Sequence, residues 1–153
     1  MPFLRLSLSA PSSPALTRQV AALLADLTVQ LLHKDARLVA VVVDYIDPGN
    51  WLVGGQTLTE QCLASFFLDI RITEGTNTKE EKAAYQQQVF LQLGALLGPL
   101  HPVSYVCLHE VRAEAYGYGG LSQELRYGQR NHLPGALPVP PSRSNQGLHV
   151  PVE

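Results

Sequence analysis

This chain repeats itself once, and few folds accommodate such a repeat. Leu4, Leu6 and Leu8 alternate with Phe3, Arg5 and Ser7, the period-two pattern of a half-buried strand. Leu68, Ile70 and Ile72 alternate with Phe67, Asp69 and Arg71 in the same way, 64 residues later. A helical pattern follows each strand. In the first unit Ser12 or Ser13 can cap the amino end, Pro14 suits the first turn, and Leu16, Val20, Leu23, Leu24, Leu27 and Leu31 recur at helical spacing. In the second, Thr78 and Glu81 form a capping box ahead of the stripe Tyr85, Val89, Leu93, Leu96 and Leu97, and Gly98-Pro99 stops it. The apolar run from Leu38 to Val43 reads as a strand buried on both faces, and 103–111 as its more mixed partner. Both units end alike: Trp51-Leu52-Val53-Gly54-Gly55 matches Tyr116-Gly117-Tyr118-Gly119-Gly120 at an offset of 65.

Two tandem βαβ units have a natural solution. Right-handed crossovers place both helices on one face of a four-stranded mixed sheet, parallel within each unit and antiparallel between them. The expected class is therefore α+β, built from α/β-type units. Repeat one spans about 2–57 and repeat two about 66–122, within a domain of 1–127. Apolar residues alternate on both faces of several strands and no third helix is evident to cover the other sheet face, so that face is expected to be apolar and an oligomer built sheet against sheet is expected. From 128 to 153 the apolar period is lost and prolines accumulate, the composition of an extended arm or disordered tail.

Composition narrows the partners. Net charge is −2 and no basic block or stripe stands out, so neither nucleic acid nor an anionic membrane is an expected partner. The apolar runs read as too short to span a membrane, and the first residues lack signal-peptide features, so a cytoplasmic location is expected. Cys62 and Cys107 form no CxxC pair and read as core filling. The 5 histidines make no i,i+4 pair or carboxylate cluster, so no metal is expected, and no other motif calls for a cofactor.

Met1-Pro2 followed directly by an alternating strand, then two βαβ units with diglycine endings, resembles the tautomerase superfamily over about residues 2–125. The layout is similar to macrophage migration inhibitory factor and to fused 4-oxalocrotonate tautomerases. The second unit, from Ile70-Arg71-Ile72-Thr73-Glu74-Gly75 to Tyr116-Gly117-Tyr118-Gly119-Gly120, is the part most like a 4-oxalocrotonate tautomerase subunit. The stretch from Gly54 to Cys62 resembles the inter-unit link of the migration-factor branch. The resemblance implies a homotrimer with sheets around a central axis and sites at subunit boundaries.

It also implies catalysis by Pro2 as a base, once methionine removal makes it the chain terminus. The chemistry is reasonable, because a free prolyl nitrogen is a secondary amine held rigidly by its own strand. An α-amino group titrates near about 8. A cation or an apolar wall lowers that value, and a fall to about 6 would raise the free-base fraction at pH 7 from roughly a tenth to roughly nine-tenths. Phe66, the counterpart of Pro2, is internal, so each chain offers one such amine. The resemblance further implies substrate-binding roles for Lys34, Ile70, Tyr105 and Tyr118. Lys34 would hold a carboxylate, Tyr105 would act from a neighbouring subunit, and Tyr118 with Trp51 or Tyr116 would form an aromatic wall.

The departures matter as much. Where the 4-oxalocrotonate branch places two arginines, this chain has Ser12 and Ala40, or Thr76 and Tyr105 in the second unit, which counts against a dicarboxylate. The stretch Thr73-Glu74-Gly75-Thr76 lacks the arginines that a haloacrylate dehalogenase needs. The expected function is a cofactor-independent keto–enol tautomerase of a small 2-oxo acid. The alternatives are a non-catalytic oligomeric binding protein on the same fold and, least supported, a hydratase or dehalogenase of an unsaturated acid.

Overall fold

The computed structural model describes residues 1–131. Its first unit runs β1 (Phe3–Leu8), α1 (Pro14–Leu32), β2 (Ala40–Tyr45), a hairpin of β3 (Leu52–Val53) and β4 (Gln56–Thr57), and the short α2 (Leu58–Gln61). The second runs β5 (Phe66–Thr73), α3 (Lys79–Leu97), β6 (Tyr105–Val111), a hairpin of β7 (Gly117–Tyr118) and β8 (Leu121–Ser122), and α4 (Gln123–Asn131). From α1 onward every element of the second unit begins 65 residues after its counterpart. The expected α+β architecture, a four-stranded mixed sheet with two helices on one face, is what the chain adopts.

The local signals act as the sequence requires. The Ser13 hydroxyl accepts from Leu16 N–H at the start of α1, and Thr78 and Glu81 close their capping box at the start of α3. Both hairpins turn on two residues of positive φ, at 63° and 81° for Gly54 and Gly55 and at 58° and 77° for Gly119 and Gly120. Glycine takes that left-handed backbone without steric cost, hence the paired diglycines.

Strand order is β2-β1-β5-β6, parallel at both outer pairs and antiparallel at the β1–β5 seam, where Phe3 faces Arg71 and Leu8 faces Phe66. Leu4, Leu6 and Leu8 of β1 and Phe66, Leu68, Ile70 and Ile72 of β5 point to one side and are fully buried. There they meet Val20, Leu24 and Leu27 of α1 and Tyr85, Val89 and Leu93 of α3 in one core. Inside it, Thr28 Oγ1 donates to Leu24 O at 2.7 Å, so the Tyr85 phenol donates to Thr28 Oγ1 at 3.0 Å.

Five expectations need correction. The run from Leu38 to Val43 is not a strand buried on both faces: Ala36–Leu38 forms a 3-10 turn, and β2 is an edge strand with Val42 42% exposed. The uncovered sheet face is not uniformly apolar. Phe3 and Val42 lie towards one end and Phe67 and Tyr105 at the other, with charged residues between. There Arg5 Nε meets Asp44 at 2.7 Å, Arg5 faces Asp69 across the seam, and Asp69 lies 3.0 Å from His109 Nε2. Alternation that fills the core on one side leaves these side chains no other direction to point. Neither cysteine fills the core: Cys62 is exposed in a left-handed turn that ends α2, and Cys107 lies half-buried on β6. α1 is long and apolar enough by length and composition to cross a membrane, contrary to the reading of short apolar runs. In this fold its inner stripe lies on the sheet, and Arg18, Gln19, Asp26 and Gln30 are among its exposed outer residues. Finally, α4 is a helix that the apolar period did not mark, and it crosses the boundary drawn at 127. The rest of the proline-rich arm, 132–153, lies outside the described residues.

Burial pushes the Tyr85 phenol up to about 12, against 10 for an unperturbed tyrosine. The native state therefore holds this proton more tightly than the unfolded chain. Stability from Tyr85 is fully present below pH 10 and is lost as pH rises from 10 to about 12. Tyr85→Phe should remove that part of the alkaline destabilisation and cost about 1 kcal/mol near neutrality, for one lost hydrogen bond. Urea unfolding of both proteins between neutral and alkaline pH checks it.

Candidate active site

The antiparallel seam brings the start of β1 beside the end of β5, so the amino terminus meets the loop between β5 and α3. Pro2 is buried, and its carbonyl accepts the Ala40 N–H at 3.3 Å, which ties the terminus to the start of β2. Beside it opens a cavity of about 340 Å³, within the range of small-molecule sites. Met1, Lys34, Thr73, Thr76, Ala113, Gln123, Glu124, Arg126 and Tyr127 line it.

Lys34 reaches this cavity because α1 ends just before it. His33 takes a left-handed conformation, φ 56°, and turns the chain back. Lys34 Nζ then donates to Thr76 Oγ1 at 2.8 Å, and Thr76 Oγ1 donates to Thr73 O at 2.7 Å. Asn77 holds the loop by donating to Leu32 O at 3.1 Å and to Glu81 Oε2 at 2.9 Å. Burial lowers the pKa of Lys34 from its ordinary value, while the charges of Glu81 and Glu110 act in the opposite direction.

The far wall belongs to α4. Ser122 caps it by accepting from Leu125 N–H at 3.2 Å, while Gln123 N–H donates to Tyr116 O at 2.8 Å and Glu124 N–H to Ala113 O at 3.2 Å. Arg126 Nη2 donates to Tyr118 O at 2.6 Å, and its guanidinium carbon lies 3.7 Å above the Tyr118 ring. Among the described residues, Gln123 Nε2 and Arg126 Nε are buried and find no hydrogen-bond partner. Tyr116 donates to Arg71 O at 3.3 Å, and burial raises its phenol pKa, opposed by a hydrogen bond with the Phe3 backbone and by the charge of Arg71.

The structure thus gathers Pro2 and Lys34 at one end of the chain and separates the other expected site residues from them. Ile70 is fully buried between sheet and helices, because the alternation that puts Leu68 and Ile72 in the core puts it there too. Within one chain it therefore cannot reach a ligand in this cavity. Tyr118 stands behind Arg126 rather than on the cavity wall. Tyr105, 58% exposed, lies at the opposite end of the sheet, in an open hollow of about 570 Å³ with Trp51, Phe67 and Ser7. Within a single chain it cannot act beside Pro2. The reading from sequence missed α4 altogether. The offset of 65 carried past the diglycine would have found it, since it maps the Thr57 cap onto Ser122 and α2 onto α4. Among the described residues, no group of three or more histidines, cysteines and carboxylates gathers as metal ligands would.

No sequence-family description matches this chain, and no curated protein matches it by sequence. Solved structures do match by fold. A native fused 4-OT superposes with a TM-score of 0.71 at 18% identity, over 80% of this chain and 97% of that one. Pt0534 inactivated by 2-oxo-3-pentynoate gives 0.70 at 19% identity, over 80% and 98%. A macrophage migration inhibitory factor-like protein from Entamoeba histolytica gives 0.66 at 18% identity, over 79% and 97%. A fused 4-OT solved as a symmetric trimer gives 0.69 at 21% identity, over 80% and 96%. At identities this low the superpositions establish a shared fold alone, that of the fused 4-OT and migration-inhibitory-factor-like chains.

The desolvated charge of Lys34 yields a test of whether it serves the fold or the cavity. Its folded pKa is depressed, so the native state binds this proton less tightly than the unfolded chain does. Lys34→Met should therefore leave the thermal midpoint near neutral pH unchanged or raised, with Thr76 still bonded to Thr73. A clear fall in the midpoint would assign Lys34 a structural role.

Proposed function

We propose that this chain, built on the tautomerase-superfamily fold, is a cofactor-independent keto–enol tautomerase of a small 2-oxo acid, with Pro2 as the proton carrier. One observation carries the reading: Met1, which directly precedes the buried Pro2, lines the same cavity as the desolvated Lys34. Removal of Met1 would turn the Pro2 nitrogen from an amide into a free secondary amine at that cavity. A cation in the same cavity disfavours a second positive charge, so Lys34 would favour the neutral, basic form of the amine at physiological pH. The amine then takes a proton from the carbon next to the carbonyl and returns it to the oxygen, or the reverse. Lys34 and other donors on the wall would hold the carboxylate and the developing enolate.

A homotrimer is part of this proposal. The uncovered sheet face and the outer edges of β2 and β6 have no partner elements within the described residues. A similar fused 4-OT is a trimer, which supports the same assembly here. In such an assembly Tyr105, exposed at the far end of the sheet, becomes available to a neighbouring site, the role that the resemblance gave it. Cytoplasmic location belongs to the same proposal.

A non-catalytic binding protein on this fold is the second reading, favoured by Ser12, Thr76, Ala40 and Tyr105 standing where the resemblance calls for arginines. Terminal chemistry separates the two. A protein that begins at Pro2 should ketonise phenylpyruvate enol, with a rate that rises through the amine pKa. Pro2→Ala, a more mobile primary amine, should lower kcat substantially, and a retained Met1 should abolish turnover. Incubation with 2-oxo-3-pentynoate should add one whole reagent to the terminal peptide, seen by mass spectrometry, as the amine adds across the activated alkyne and its proton moves to carbon. Equal turnover by the Met1-retaining and Met1-free proteins would defeat the mechanism.

For the assembly, light scattering at micromolar concentration should give the mass of three chains. A clean monomer would remove Tyr105 from any site.

A further inference from the structure

The duplication provides an internal control for the cavity wall. Position 123 corresponds to Leu58 in the first unit and position 126 to Gln61, at the offset of 65 that relates α2 to α4. In the first unit Leu58 is fully buried, and Gln61 uses its amide on two hairpin carbonyls, Val53 O and Gln56 O, both at 3.0 Å. In the second, Arg126 makes the matching bond to Tyr118 O, the counterpart of Val53, with one nitrogen alone. Among the described residues its Nε finds no hydrogen-bond partner, and Gln123 Nε2, where the first unit has leucine, is buried and unpartnered as well. Lys34 likewise has an apolar counterpart, Pro99. Three N–H-bearing side chains therefore line the cavity, and apart from Arg126 Nη2, which keeps the hairpin bond, their donors have no counterpart in the first unit.

Unpaired buried donors cost free energy, so a chain that places two of them at one cavity gains from whatever pairs with them. The partner must offer acceptor oxygens. Lys34 and Arg126 supply two positive charges, and the exposed Glu124 on the same wall returns one negative charge, a balance suited to a monoanion. We propose that Gln123 and Arg126 of α4, together with Lys34, bind the carboxylate of a monocarboxylate. They supply the donors that the arginines missing at Ser12, Thr76 and Ala40 would otherwise have given. This inference rests on the tautomerase reading for the site's purpose, while the binding itself needs no turnover.

The test copies the first unit into the second. Gln123→Leu and Arg126→Gln install the residues that the same fold already uses at 58 and 61, so both proteins should fold, which circular dichroism melts check. Calorimetric titration would use 3-phenylpropanoate, which cannot enolise to a 2-oxo product, and its methyl ester. Wild type should bind the acid at least about tenfold more tightly than the ester, and each variant should lose about tenfold for the acid alone. With phenylpyruvate as substrate, the variants should raise KM more than they lower kcat.

Unchanged acid affinity in the folded variants, equal losses for acid and ester, or no preference for the acid by wild type would each overturn the assignment. Selective acid binding in a protein without turnover would defeat the tautomerase reading and leave this one standing. Turnover with an unchanged KM in both variants would do the opposite.

Discussion

The antiparallel seam between β1 and β5 is the constraint on which the rest of this structure depends. It joins two βαβ units into one sheet and sets both helices on the same side, where one core closes over Leu6, Leu68, Leu24 and Leu93. The same seam runs the start of β1 past the end of β5. The amino terminus therefore sits beside Thr73 and Thr76 of the other unit as well as Lys34 of its own. A parallel join would have placed those groups at opposite ends of the sheet. The candidate site is thus a product of how the halves meet, and neither half contains it alone.

Duplication doubles the architecture, and divergence then makes the two ends unequal. Leu58 and Phe66 stand fully buried at positions whose counterparts are Gln123 and the chain's first residues. At one end apolar side chains occupy these positions; at the other, a terminus and donor-bearing side chains line a cavity. Hydrogen bonds that the fold itself needs survive in both halves. Leu58 N–H bonds to Trp51 O at 2.9 Å and Gln123 N–H to Tyr116 O at 2.8 Å, which brace the helix start against the hairpin in each case. The side chains that face the cavity, by contrast, differ from their counterparts: Gln123 from Leu58, Arg126 from Gln61 and Lys34 from Pro99. That division is what a site added to a scaffold should show.

The open sheet face has its own logic. A uniformly apolar face would favour association in any register, whereas charges spaced across several strands limit the register. Asp44, Arg5 and Asp69 form such a band, with Arg5 paired to Asp44 and facing Asp69 across the seam. Phe3 with Val42 and Phe67 with Tyr105 provide apolar contact towards either end. Opposite charges gain little from exposure, and burying them against a partner copy requires that they stay paired. The pairs within one sheet meet that requirement before any partner arrives.

Sequence by itself determined the elements and their order. Leucine alternation marked β1 and β5, the Ser13 and Thr78 caps and helical stripes marked α1 and α3, and the diglycines marked both hairpin turns, because these signals are local and set by backbone sterics. Pro2 and Lys34 were singled out through the resemblance, Pro2 just ahead of β1 and Lys34 just after α1. Tertiary structure alone decided which strands became edges, so β2 was misjudged as buried on both faces from an apolar run that says nothing of its neighbours. It alone placed Tyr105 far from Pro2 and sealed Ile70 in the core. It also brought α4 to the cavity. That helix carries too few apolar residues to announce itself by period, and it is fixed by hydrogen bonds to Tyr116, Ala113 and Tyr118, partners that only folding brings within reach. Periodicity reports burial of one face by something; only the fold can supply what that something is.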